Sequence, residues 1–243
     1  MVNGEKSGLN HQPLTSRLTT NRLPCTIYIL LMTELIIATT NPGKLREIRE
    51  LLKDLDLEIT SLSDYPGAPK VEEDGKNFAQ NALKKAATIA LYTGKLTLGE
   101  DSGLEVRALG NKPGIYSARF SLPKANKSSG RACSAGANAT DKRNNAKLLR
   151  SLRGVSFKKR QARYRCFAAL VDGQRIIDVV SGSCAGLIAL RGRGKNGFGY
   201  DPLFFLPRYN KTFGELDSAI KARISHRARA LSKVKKVLKK YIG

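Results

Sequence analysis

Leu98-Gly99-Glu100-Asp101-Ser102-Gly103-Leu104 closes a short apolar run, sets two carboxylates side by side and follows them with Ser-Gly. The pattern reads as a β-strand, entered at Leu96–Gly99, that delivers acids to the mouth of a cleft and then turns away. Neighbouring side chains of an extended strand point to opposite faces, so Glu100 and Asp101 are expected to do different jobs. One faces a site; the other faces core, helix or solvent. A second acidic group, Glu72-Glu73-Asp74, lies upstream, just before a helical pattern. Brought together, the two groups would offer oxygen ligands to a hard cation such as Mg²⁺. Taken alone, the Glu-Asp pair reads first as an ordinary strand end; the surrounding residues change that.

Working outward, Leu35-Ile36-Ile37-Ala38 reads as a buried strand and Thr39-Thr40-Asn41-Pro42-Gly43-Lys44 as a turn. Leu45, Ile48, Leu51 and Leu52 then fall at helical spacing. Such a strand, small polar loop and helix can present backbone N–H groups and one ammonium to a phosphate. It can also be a plain connection, and the GxxxxGKS/T spacing of a Walker loop is absent. Leu57-Glu58-Ile59 is a second strand, and Asn77 caps a helix whose Phe78, Ala82, Ala86 and Ile89 share one face. Pro113–Arg119 is a turn without legible chemistry. Residues 123–140, rich in Ser, Ala, Gly, Asn and Lys, read as a mobile basic loop of low complexity, followed by a helix carrying Ala146, Leu148, Leu149 and Leu152. Strands are expected at Tyr164–Val171, Ile176–Val180, Ala185–Ala189 and Leu203–Leu206. Between the last two, residues 191–202 are dense in glycine and end in Phe198-Gly199-Tyr200-Asp201-Pro202. Glycine allows close backbone approach, the aromatics could stack on a base, and Asp201 could hydrogen-bond its edge; a long hairpin loop with buried aromatics reads equally well. Lys221 precedes Ile224-Ser225-His226-Arg227, where Ser225 caps a final helix with Ala228, Leu231, Val234 and Leu238 in one stripe. His226 suits a structural or a chemical role.

The composition, with 41% hydrophobic and 26% charged residues, is that of a soluble globular protein. The net charge of +23 is concentrated: residues 122–165 hold 13 Lys/Arg against Asp141, and residues 221–243 hold nine Lys/Arg and no acid. Outside these segments and the first 33 residues the chain is net neutral. Such excess charge draws polyanions or simply solvates a face. Nucleic acid is not the expected partner, because only 7% of residues are aromatic and few of them stand among the basic residues. Cys25, Cys133, Cys166 and Cys184 lack CxxC spacing, which argues against a zinc site and for a reducing, cytoplasmic setting. The apolar run Ile27–Met32 is too short to span a bilayer. Residues 1–31 read as a disordered extension or an over-long gene start, leaving 32–243 as a single two-lobed domain.

Five blocks, taken together and in order, resemble the inosine triphosphate pyrophosphatase family: Thr39–Lys44, Asp101–Leu104, Pro113–Arg119, Phe198–Pro202 and Ile224–Arg227. The resemblance implies an α/β fold, a long twisted mixed sheet flanked by helices in two lobes with a central substrate cleft. It also implies hydrolysis of ITP, dITP and XTP to the monophosphate and pyrophosphate, with Mg²⁺ as cofactor and a homodimer as assembly. Carried over by motif, Thr39, Thr40, Asn41, Pro42, Gly43 and Lys44 would hold the triphosphate. Asp101 would be the catalytic acid and a metal contact, with Glu73 the partner metal carboxylate. Ser102 would touch substrate, while Phe198, Gly199, Tyr200, Asp201, Lys221, His226 and Arg227 would form the base pocket. Glu100 stands where the family usually has Asp, and the 123–140 stretch is longer and more basic than usual. Two other readings stand beside this one: a nucleotide pyrophosphatase of different base preference, and a basic nucleic-acid-binding protein on an inactive enzyme fold.

Overall fold

Apolar runs bounded by polar turns form one mixed sheet in the computed structural model, which describes residues 33–122 and 137–242 together with Met1. Its strands are β1 (Thr33–Ile37), β2 (Leu57–Ser61), β3 (Leu96–Val106), β4 (Lys112–Pro113), β5 (Gln161–Asp172), β6 (Arg175–Ile188), β7 (Phe204–Leu206) and β8 (Lys211–Thr212). They lie in the order β2-β1-β3-β5-β6-β7-β8, with β4 beside the end of β3. β1 runs parallel to β2 and β3, and every other pairing is antiparallel. The axis of the sheet is the ladder from Leu96↔Asp172 to Val106↔Ala162, in which Asp101 sits opposite Phe167.

Helices cover both faces. α1 (Pro42–Leu52) starts at Asn41, whose side chain accepts from Lys44 N, and has Pro at its first position, where no N–H is needed. α2 (Phe78–Thr93) is capped by Asn77 and stopped by Gly94 at φ 69°. α3 (Ala137–Ser151) and α4 (Ser218–Ile224) follow, and α5 (His226–Ile242) begins where Ser225 Oγ accepts from Ala228 N at 3.1 Å.

Two lobes result. In one, α1 and the Leu231–Val234–Leu238 stripe of α5 pack on Leu35, Ile37, Leu98 and Leu170, while the alanines of α2 pack on Ala169 and Val171 across the sheet. In the other, Leu148 of α3 and Leu152, just past its end, join Leu104, Tyr164, Phe204 and Phe213. The helices come very close to the sheet at two glycines. A Cβ on Gly99 would lie 2.2 Å from Ala82 O, and one on Gly182 would lie 2.3 Å from His226 O.

Three expectations need correction. The strand does not break at Ser102-Gly103; it continues to Val106, because β5 pairs with it residue for residue and Gly103 leaves room for the turn at Gly114. The two strands expected at 176–180 and 185–189 are one, β6, since its polar middle at Ser181-Gly182-Ser183 stays in the ladder with β5. Residues 137–140 belong to α3 and not to the loop. The rest of that loop, like the expectation for residues 2–31, lies outside the described residues.

Candidate active site

β3 carries both acids, and its alternation separates them. Asp101, with Gly99, faces α2, whereas Glu100, with Leu98 and Ser102, faces α1 and α5. Both carboxylates are buried.

Around Asp101 the partners come from α2. Asn81 Nδ2 donates to Asp101 Oδ2 at 3.1 Å, and Lys85 Nζ lies 3.5 Å from Asp101 Oδ1 and 2.8 Å from Glu73 Oε1. Arg119 Nη2 donates to the Glu73 carbonyl at 3.0 Å and fixes the acidic loop from the other side. Burial raises the Asp101 pKa above its ordinary value, offset only in part by Lys85 and Lys44. Glu73 is half-buried, which alone would raise its pKa, yet the Lys85 charge outweighs that and lowers it. For Lys85, the reverse contest between burial and two carboxylates leaves its pKa raised.

Around Glu100 a line of alternating charge runs the length of the cleft. Lys44 Nζ lies 2.7 Å from Glu100 Oε2, and Glu100 Oε1 accepts from Arg227 Nη2 and from Cys166 Sγ, each at 3.2 Å. Arg227 Nη1 pairs with Glu47, whose other oxygen is 2.8 Å from Lys221 Nζ. Lys221 Nζ in turn lies 2.5 Å from Asp201 Oδ2. Burial opposes ionisation of Glu100, but Arg227 and Lys44 hold its pKa well below the usual carboxylate value. Arg227 Nη2 also donates to Ser102 Oγ at 3.1 Å.

The glycine-rich loop closes the far end. Asp201 Oδ2 accepts from Phe198 N at 2.9 Å as well as from Lys221, so this carboxylate shapes its own loop where the sequence suggests a group free to read a base edge. Tyr200 is likewise in the core, its hydroxyl donating to Ser117 O at 2.8 Å. The Phe198 ring rests over Gly43, where a Cβ would come within 2.8 Å, and the charges of Lys221 and Arg227 lie 5.1 and 5.5 Å from its centre. His226 stacks on Tyr164 at 4.5 Å and 8°. Burial and the neighbouring Arg227 push its pKa well below the ordinary value, so the ring is neutral, and Nδ1 is buried without a hydrogen-bond partner among the described residues.

These groups meet in one cleft of about 660 Å³. All residues nominated from the sequence line it except Pro42 and Gly43, which form the start of α1 beneath. Lys85, Asn81 and Glu47 were not nominated. Asn81 and Lys85 sit three and seven residues after Phe78, inside the apolar stripe of α2, and a polar residue at such a position is a sign of a buried partner. Glu47 follows Lys44 by one helical turn.

The donor set fits a divalent ion. Glu73 and Asp101 already converge on one cation, the Lys85 ammonium. No group of three or more His, Cys, Asp or Glu forms a metal cage among the described residues. Two carboxylates without a cage suit Mg²⁺, which takes one or two carboxylates and completes its shell with water and phosphate oxygens.

Known proteins resemble this chain closely. A family model described as the Ham1 family matches residues 35–237. A dITP/XTP pyrophosphatase of Desulforamulus reducens is 46% identical over 205 residues, covering 84% of this chain and 95% of the relative. Another of the same name, from Geobacter sulfurreducens, is 47% identical over 214 residues, covering 87% and 98%. Among solved structures, a HAM1 protein from Coxiella burnetii superposes with a TM-score of 0.73 at 35% identity, over 86% of this chain and all of that one.

Proposed function

The chain belongs to the Ham1 family, and from that premise we propose that it hydrolyses non-standard purine nucleoside triphosphates (ITP, dITP and XTP) to the monophosphate and pyrophosphate. The observation that carries the reading is the cleft itself. A buried carboxylate of raised pKa, Asp101, faces the same space as the Lys44 ammonium and the Phe198 loop.

The triphosphate lies along Thr39–Lys44, with Lys44 and Lys85 balancing its charge. Mg²⁺, held by Glu73 and Asp101, would add positive charge at the phosphates and help the departing pyrophosphate leave. Asp101 orients a water at the α-phosphorus and accepts its proton. The new bond forms from water oxygen to the α-phosphorus as the bond to the bridging oxygen of the β-phosphate breaks. At the other end the purine stacks on Phe198. His226 Nδ1, neutral and unpartnered, is suited to donate to the carbonyl that hypoxanthine and xanthine carry at C6. Adenine has an amine there and would leave that donor unpaired. Lys221 and Arg227 hold their positions through Glu47 and Glu100. A homodimer in the cytoplasm completes the reading, and no helix of the described residues is long and apolar enough to cross a membrane.

Pyrophosphate release by the purified protein with Mg²⁺ tests this, using ITP, XTP, ATP and GTP and with Asp101→Asn alongside. The expected result is fast release from ITP and XTP, little from ATP and GTP, and a loss of about 10³-fold or more in the variant. Equal turnover of all four substrates would refute the selectivity, and a fully active variant would refute the role of Asp101.

A further inference from the structure

The chemistry proposed above makes no use of α3, yet this helix grips the loop at the far end of the cleft. Gly199 N donates to Asp141 Oδ2 at 2.7 Å, and Asn145 Nδ2 donates to Gly199 O at 3.0 Å. Four residues apart, Asp141 and Asn145 share one face of the helix and offer an acceptor and a donor to the two ends of one residue. Asn144, beside them, is buried and binds a different wall of the cleft. Its Nδ2 donates to Ser117 O at 3.3 Å and to Ala118 O at 3.1 Å, and its Oδ1 accepts from Ser121 N at 2.7 Å.

Gly199 is where a grip has most effect. Its φ is +62°, which favours glycine, and nothing lies within 4 Å of where a Cβ would be. The space beside its Cα is open, and hydrogen bonds from α3 hold its N–H and its carbonyl. Phe198 precedes it and Tyr200, tied to Ser117 O, follows it. Leu148, with Leu152 just past the helix end, already anchors α3 in the core, so the helix does not need Gly199 for its own attachment.

We propose that Asp141 and Asn145 are positioning residues which, by clamping Gly199 at both ends, hold the Phe198 ring in the place where a purine stacks. The proposal rests on the reading of the cleft as a nucleotide site. Held in advance, the ring costs no ordering when the base arrives; released, it must be ordered at the expense of affinity. The clamp acts on the base end alone, so it separates base affinity from phosphate affinity.

The test uses Asn145→Ala and Asp141→Ala, with Asp141→Asn as the conservative variant whose amide oxygen can still accept from Gly199 N. Alanine favours a helix more than Asn or Asp does, so α3 is not weakened. Each alanine variant should raise KM for ITP and XTP about tenfold, as loss of one such hydrogen bond predicts. The same variants should change kcat less than about twofold and leave inhibition by inorganic triphosphate, which lacks a base, unchanged. Asp141→Asn should restore a KM near that of the wild type. Hydrogen–deuterium exchange over residues 196–201 should quicken in both alanine variants without added nucleotide. An unchanged KM, or a nucleotide KM and a triphosphate inhibition constant that move together, would overturn the proposal; so would unaltered exchange. Failure of the wild type to turn over ITP or XTP would instead remove the functional reading, and the exchange measurement would still decide whether the clamp holds the loop.

Discussion

Glu47 stands between two buried cations, Arg227 and Lys221. Burial alone would raise its pKa, but the two cations outweigh burial and lower it below the ordinary 4.5. A carboxylate depressed in the folded state adds stability that is complete above the unfolded pKa and is lost as the pH falls through the folded one. Glu47→Gln should therefore lower stability at pH 7 by about 2–3 kcal/mol. The difference in Tm from the wild type should shrink as the pH falls below about 4.5; a difference constant across pH would show that charge is not its source. Individual side chains were unevenly legible in the sequence. Lys44, Asp101 and Arg227 lie in recognisable blocks and all reach the cleft. The place of Lys85 in the apolar stripe of α2 marks it as buried but does not name its partners, Glu73 and Asp101, which close on it from two other segments. No local pattern gives that convergence, because three separate parts of the chain create it. Asp201 shows the opposite failure: its place was legible, but its partners, Phe198 N and Lys221, leave it a different task.

At the scale of elements, α2 and α5 dock on the sheet through Gly99 and Gly182, where an added methyl would meet backbone atoms at 2.2 and 2.3 Å. Backbone cannot rotate aside as a side chain can, so either helix must shift. Gly99→Ala and Gly182→Ala should each cost roughly 2–4 kcal/mol, read from denaturant midpoints. Gly192→Ala is the control: its nearest neighbour would lie at 3.7 Å, an ordinary contact. It should stay within about 0.5 kcal/mol of the wild type, and an equal loss there would argue against close docking as the cause. Helix starts were the most legible elements. Asn77 and Ser225 each accept from a backbone N–H as their positions suggest, because a cap is decided by a few adjacent residues. Strand ends were less so. Ser-Gly pairs in β3 and β6 look like breaks, but in both strands the long partner β5 carries the ladder through. Pairing between distant segments overrides the local preference.

For the molecule as a whole, the net charge of +23 bears on how fast an anionic substrate arrives. A nucleoside triphosphate should be drawn in less effectively as salt screens the field. Raising ionic strength from about 0.02 to 0.5 M should then reduce kcat/KM several-fold with kcat nearly unchanged, and a salt-independent kcat/KM would rule out such attraction. The mixed α/β fold was legible through five short blocks in order, and the likeness to solved Ham1 structures confirms that architecture. The sheet order, with β3 between β1 and β5, was not, since it depends on pairings no single block encodes. The alternation along β3 also limits how this gene can vary. Within that strand, deleting or inserting one codon between Leu96 and Gly99 would exchange the layers into which Glu100 and Asp101 project. Substitutions there can be sampled one at a time, whereas a change in length would have to come in pairs of residues or be offset before the acids are reached.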